Sequence, residues 1–336
     1  MKKYKVGFVL GKWYPPTKGH MFLIEESARL CDTLYVLVCT LPYYLEPFIT
    51  GKERFNIIES YFKCHSNILV VHHEEILPQK PEEHKDFWAI WKNVISTYVP
   101  TENLEVVFSS EKYGESLAKI FNIKHICIDI NRKTIPISGT KVRESINDNW
   151  SYLPQLTKRK FIKKIAILGP ESVGKSTLVK NISAHYNVPQ LEEYGREYWN
   201  EHNGLLTKIS FKEIIEGHND RLKVIINSTE KRFVICDTDN ITTQVFYDLM
   251  CKEQLFDLSS IPTEEIDYRI VLQPNNLAHQ DGTRTFLSKE EREDHFKRII
   301  LKLDKNNLEY SVLENTNYEQ TFEECINIIN KLIFLS

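Results

Sequence analysis

The chain reads as α/β, two doubly wound parallel-sheet domains in series, and three observations lead there. At 336 residues it is about twice the length of a typical domain. Residues 164–177, Lys-Ile-Ala-Ile-Leu-Gly-Pro-Glu-Ser-Val-Gly-Lys-Ser-Thr, fit G-x-x-x-x-G-K-[ST] from Gly169 to Ser176, between an apolar strand-like run and a helix-like one. Residues 6–10 are a second apolar run, followed by a glycine- and proline-bearing loop and a helix carrying Phe22, Ile24 and Ala28. A phosphate-binding loop opens its own domain, so a separate fold must precede it: residues 1–158, then 159–336.

In the first half, further strands are expected at 33–39, 68–72, 104–108 and 125–130, with helices near 51–62, 83–98 and 112–121. Such alternation argues for a mostly parallel sheet that binds ligands at the carboxyl ends of its strands. Residues 150–161 contain Pro154 and the basic run Lys158-Arg159-Lys160 but no Gly/Ser-rich stretch, so this connection is expected to hold the domains close. In the second half, strands are expected at 164–168, 188–191, 232–236, 268–273 and 309–313. A final helix presents Phe322, Cys325, Ile326 and Ile329 at helical spacing.

Composition excludes several classes. A net charge of −3 leaves no electrostatic footprint for nucleic acid, so any anion site is local. The start, Met-Lys-Lys-Tyr-Lys, runs into a strand rather than a signal-length apolar core, and no run reaches membrane-spanning length. Seven scattered cysteines without C-x-x-C, including Cys251, point to free thiols in a reducing compartment, hence a cytoplasmic protein. A homo-oligomer is left open.

Phosphate chemistry is concentrated in three places. In 169–177, Gly169 and Gly174 allow the chain to approach a phosphate with its N–H groups, Lys175 can bridge the outer phosphates, and Ser176, followed by Thr177, can take a coordination site on Mg2+. In the first half, Thr17-x-Gly19-His20 sits at a helix start after Gly11 and Lys12. There too, Ile137-Ser138-Gly139-Thr140-Lys141-Val142-Arg143 offers Ser138 or Thr140 as a cap and Arg143 about one turn inside. Taken singly, the last two are ordinary helix starts. Trp88 and Trp91, three apart on one helix face, suit a flat cationic ring, although a pair of core tryptophans is the better account of the spacing alone.

Together, the two first-half motifs resemble the [T/H]-x-G-H and I-S-x-T-x-x-R signatures of the nucleotidylyltransferases, which transfer a nucleotidyl group from a nucleoside triphosphate and release pyrophosphate. The resemblance makes His20 a ligand of the triphosphate, Thr17 a second polar contact, and Ser138, Thr140 and Arg143 the β/γ-phosphate clamp, with Lys12 a further ligand. Thr17 stands where many relatives carry His.

The opening Gly-Lys-Trp-Tyr-Pro, Trp88-x-x-Trp91, Phe-Ser-Ser-Glu at 108–111 and Asp129-x-x-Arg132 resemble the NadR-type bifunctional family, a nicotinamide mononucleotide adenylyltransferase joined to a ribosylnicotinamide kinase. Glu-Tyr-Gly-Arg-Glu at 193–197, the run Asp237-Thr-Asp239-x-Ile-Thr-Thr-Gln and Asp281-Gly-x-Arg284 resemble its kinase half. The resemblance implies ATP and Mg2+ as cofactors, and nicotinamide mononucleotide and nicotinamide riboside as substrates. Glu193 and Asp237 are then the base and the metal-water ligand in an order left open, with Asp239 for ribose hydroxyls and Arg284 on a mobile lid as charge stabiliser. Trp88, Trp91, Arg132, Tyr194 and Arg196 are the further substrate contacts it implies.

Two departures stand out. No aromatic precedes Asp281-Gly282, and the first strand begins too early to leave room for the helix-turn-helix segment some members carry, so no DNA-binding role is expected. Two rivals share the same fold types: a fused phosphopantetheine adenylyltransferase and dephospho-coenzyme A kinase, and an adenylyltransferase carrying a non-catalytic nucleotide-sensing P-loop domain.

Overall fold

Apolar runs rich in valine and isoleucine become the strands, and the helices between them cover both sheet faces, as parallel sheets require. The computed structural model describes residues 2–251, 261, 264–274, 288–314 and 316–334, and the chain divides into two units, Met1–Lys160 and Phe161–Ser336.

The first unit comprises β1 (Tyr4–Gly11), α1 (Lys18–Leu30), β2 (Cys31–Thr40), α2 (Gly51–Phe62), β3 (Ile68–Glu74), α3 (Phe87–Tyr98), β4 (Leu104–Ser109), α4 (Tyr113–Phe121), β5 (Lys124–Cys127), α5 (Gly139–Glu144) and α6 (Gln155–Lys158). Its strands are parallel in the order β3-β2-β1-β4-β5. The order reverses between β1 and β4, and a crevice opens there at the carboxyl ends. One core cluster packs Phe8, Leu37 and Val107 against Ile95 of α3 and Leu117 of α4. Each such side chain contributes about 1.5–3 kcal/mol by leaving water.

The second unit comprises β6 (Lys163–Leu168), α7 (Lys175–Tyr186), β7 (Gln190–Leu191), α8 (Tyr194–Glu201), α9 (Lys208–Ser228), β8 (Phe233–Asp237), α10 (Asn240–Cys251), β9 (Tyr268–Leu272), α11 (Lys289–Lys305), β10 (Tyr310–Leu313) and α12 (Tyr318–Phe334). Its strands are parallel in the order β10-β9-β6-β8-β7. Cys325, Ile329 and Ile333 of α12 close its core, together with Ile165, Ile167 and Ile270.

Two expectations change. The strand expected at 125–130 stops at Cys127, because the Asp129 carboxylate accepts the backbone N–H groups of Lys133, Thr134 and Ile135 and turns the chain, with Asp129 at φ 52°. The helix expected from 83 starts at Phe87, after a single 3₁₀ turn at Pro81–Glu83. Residues 150–160, which carry no flexible composition, are part of the first unit. They fold onto the first unit, where Thr157 Oγ1 donates to the Pro16 carbonyl at 3.0 Å and Lys160 pairs with Glu53 at 2.9 Å. Among the described residues, no helix is long and apolar enough to cross a membrane.

Candidate active sites

In the first unit, a cavity of about 920 Å³ is lined by Gly11, Lys12, Tyr14, His20, Glu46, Trp88, Trp91, Arg132, Ser138, Thr140 and Arg143, among others. The two sequence motifs therefore meet at one site, as a switch-point crevice predicts. Thr17 caps α1 in a reciprocal box: its hydroxyl accepts the His20 N–H at 3.3 Å, and its own N–H donates to His20 Nδ1 at 3.1 Å. Two consequences follow. Thr17 is fully buried as a cap, so its expected role as a polar contact to the triphosphate is corrected. With Nδ1 an acceptor, the His20 proton sits on Nε2. Burial, helped by the positive charge of Arg132 and opposed by a backbone hydrogen bond, lowers the His20 pKa to about 4. Trp13 supports this arrangement, donating Nε1–H to the Leu37 carbonyl at 2.9 Å and packing its ring edge-on to His20.

Ser138, rather than Thr140, caps α5, its hydroxyl accepting the Lys141 N–H at 3.1 Å. Thr140 accepts from Arg143 Nη2 at 3.2 Å. Arg132 donates to the Ile137 carbonyl at 2.9 Å and pairs with Glu111 at 3.2 Å. Both tryptophans are half-buried: they pack on the core and also line the cavity, and Trp91 Nε1 is fastened to the Pro78 carbonyl at 3.0 Å.

Two residues that sequence reasoning missed organise the cationic wall. Glu46, 4% exposed, pairs with Lys12 at 3.2 Å and with Arg54 at 2.7 Å. Arg54, fully buried, also donates to the Lys12 carbonyl at 3.0 Å. The Glu46 carboxyl lies below the ordinary carboxylate range: burial alone would raise it, and the Arg54 hydrogen bond and charge, with Lys12, outweigh that. A lone glutamate beside Pro47-Phe48 gave no signal of this.

In the second unit, the loop between β6 and α7 has the conformation its glycines allow. Gly169 sits at φ 144°, and a Cβ there would come 2.7 Å from the Leu272 carbonyl. Lys175 is buried and its ammonium donates to the Gly169 and Pro170 carbonyls at 3.0 and 2.9 Å. Ser176 and Thr177 are exposed at the α7 start. Asp237 ends β8, opposite Ile167 of β6, and is 3% exposed with one carboxylate oxygen, Oδ1, unpartnered. Burial raises its pKa above the ordinary value, Lys175 and the Ser176 hydroxyl oppose that, and the negative charge of Glu193 adds to it.

Glu193 pairs with Arg196 at 3.0 Å. Tyr194 packs against Gly217 of α9, beneath the Arg221 guanidinium 4.2 Å from its ring centre. Asp239 is corrected. It was expected to hold ribose hydroxyls, yet its Oδ2 pairs with the buried Arg269 at 2.8 Å, its Oδ1 accepts the Ile241 and Thr242 N–H groups, and its side chain is 1% exposed. That carboxylate fixes the start of α10. Sequence reasoning also missed His218 of α9, whose buried Nε2 lies within the electrostatic reach of Asp239 and Glu193. On α11, Arg298 is a half-exposed partner of Asp294, whereas Arg292 is buried. The stretch 280–284, with Arg284, and the side chain of Cys251 lie outside the described residues.

Comparison with known proteins matches each unit separately and the chain as a whole. Residues 8–145 match a cytidylyltransferase-like family and residues 164–321 an AAA domain family. The trifunctional NAD biosynthesis/regulator protein NadR of Escherichia coli K12 is 28% identical, over 99% of this chain and 84% of its own length. A phosphopantetheine adenylyltransferase of Streptococcus suis is 42% identical, over 47% of this chain and 96% of its own length. Two crystal structures of NadR protein superpose with TM-scores of 0.78: one in complex with NAD and AMP-PNP (22% identity, 98% of this chain and 96% of that one) and one with NR (21%, 100% and 98%). With both units, their order and nearly the full length matched, the chain is a homologue of NadR, with a cytidylyltransferase-like unit followed by an AAA-domain unit in the NadR fold.

Proposed function

We propose that this chain makes NAD in two ATP-dependent steps. In the second unit, the 5′-hydroxyl of nicotinamide riboside attacks the γ-phosphorus of ATP, the β–γ bridging bond breaks, and nicotinamide mononucleotide and ADP leave. Glu193 takes the hydroxyl proton and Lys175 carries the outer phosphates. In the first unit, a phosphate oxygen of the mononucleotide attacks the α-phosphorus of a second ATP, the α–β bond breaks, and NAD and pyrophosphate leave. Lys12, Ser138, Thr140 and Arg143 hold the β- and γ-phosphates, and neutral His20 offers its Nε2–H to the charge developing on the transferred phosphoryl group. Trp88 and Trp91 face the pyridinium ring.

ATP acts with Mg2+, which when bound neutralises charge on the phosphate oxygens. The hydroxyl of Ser176 and the unpartnered Oδ1 of Asp237 fit such an ion, since both are hard oxygen donors. The free thiols of Cys31, Cys39, Cys236 and Cys325, all buried, suit a reducing cytoplasm.

The observation that carries this reading is the full-length relationship to NadR joined to two separate phosphate-binding arrangements in one chain. A second reading has its own support in the 42% match of the first half to phosphopantetheine adenylyltransferase, which favours phosphopantetheine as acceptor there. Purified protein with ATP and Mg2+ is offered riboside, mononucleotide or phosphopantetheine. NAD from both pyridine acceptors is expected, with the riboside route lost in Lys175→Ala and both routes lost in His20→Ala. Adenylylation of phosphopantetheine alone would overturn the pyridine assignment.

A further inference from the structure

Arg143 is exposed, yet its guanidinium is closely held. Nη1 donates to the Tyr14 carbonyl, Nη2 donates to Thr140 Oγ1 at 3.2 Å, and Cζ lies 4.7 Å from the centre of the Tyr14 ring. The same ring carries a second guanidinium, that of Arg54, also at 4.7 Å. Arg54 has no freedom to move, being fully buried between Glu46 and the Lys12 carbonyl. Tyr14 is fixed from another side as well: its hydroxyl accepts the Phe48 N–H at 2.8 Å, and its ring meets Phe48 edge-on. Gly139 lets α5 come this close, since a Cβ there would lie 2.4 Å from the Tyr14 carbonyl oxygen.

We propose that Tyr14 is a positioning residue of the first site: its ring, anchored by Arg54 and Phe48, sets the Arg143 guanidinium on the cavity wall. An arginine left on its flexible stem samples many rotamers, and two guanidinium groups gathered at one wall repel each other. An aromatic ring within reach of both offsets this, because it attracts each cation and narrows the positions each can take. Arg143 therefore meets a triphosphate already oriented.

This rests on the reading of Arg143 as a triphosphate clamp, and the test separates the two. Adenylyl transfer from ATP to nicotinamide mononucleotide is measured for Tyr14→Leu, Arg143→Ala and the double variant, with riboside phosphorylation by the same preparations as a check that the chain is folded. Tyr14→Leu is expected to lower kcat/KM for ATP about tenfold while KM for the mononucleotide stays within about twofold. In the Arg143→Ala background the same change is expected to cost no more than about twofold. Losses that multiply would overturn the positioning role and leave the clamp standing. An Arg143→Ala enzyme as active as the parent would overturn both. If Tyr14→Leu does not fold, Tyr14→Phe and Tyr14→Met decide. Phe, which keeps the ring, should retain activity that Met loses, and equal losses would overturn the proposal.

Discussion

The two units assemble their proposed phosphate contacts in contrasting ways. In the second, one contiguous loop supplies the glycines, the lysine and the hydroxyls, and Lys175 is tied to carbonyls of that same loop. In the first, the cationic wall draws on segments far apart in the chain: Lys12 and Tyr14, Glu46 and Arg54, Arg132, and Arg143. A contiguous loop needs only its own backbone to be correct. A distributed wall needs a buried counter-charge, because cations brought together without one repel and are costly to desolvate. Glu46 is that counter-charge.

The sharpest break in the comparison is Lys175→Ala, expected to lower riboside phosphorylation by about a thousandfold or more and to leave adenylylation of the mononucleotide unchanged, as separate assays of the two reactions would show. Next comes Glu46→Ala, which leaves Arg54 buried without its partner. The expected loss is about 3–5 kcal/mol of first-unit stability, read by denaturant unfolding with a first-unit probe, together with weaker ATP use in adenylyl transfer only. In the second unit, Asp239→Asn strands Arg269 in the same way and should cost a similar amount there.

The smallest effect is in pH dependence. His20 has a folded pKa lowered to about 4 against an ordinary 6.5, so its neutral form persists well below neutrality. Its contribution to stability is full above pH 6.5 and falls as pH drops toward 4, because the unfolded chain takes up the proton first. Adenylyl transfer should show no loss from His20 between pH 8 and about 5. A pH profile of adenylyl transfer checks this, and a loss centred near pH 6.5 would contradict it.

Much of this was legible beforehand. The strand and helix alternation predicted both parallel sheets, and the motifs around His20 and Arg143 meet on one cavity, as their pairing predicted. Other readings failed for a common reason. Thr17 and Asp239 carry the right chemistry for ligands, but helix starts compete for the same oxygens, and in both cases the backbone N–H groups won. Glu46, Arg54 and His218 were invisible because each has value only beside partners that the chain brings in from elsewhere.

By itself the sequence determined the two-domain α/β plan, the phosphate loop and the paired nucleotidylyltransferase motifs, since each depends on local spacing and on glycine, serine and lysine at set positions. Only the tertiary structure decided which charges are buried together, which polar side chains are consumed as caps, and how Tyr14 comes to flank Arg54 and Arg143. Electrostatic pairing and desolvation depend on distance in space, and distances between remote segments exist only once the sheet has brought their ends to one crevice.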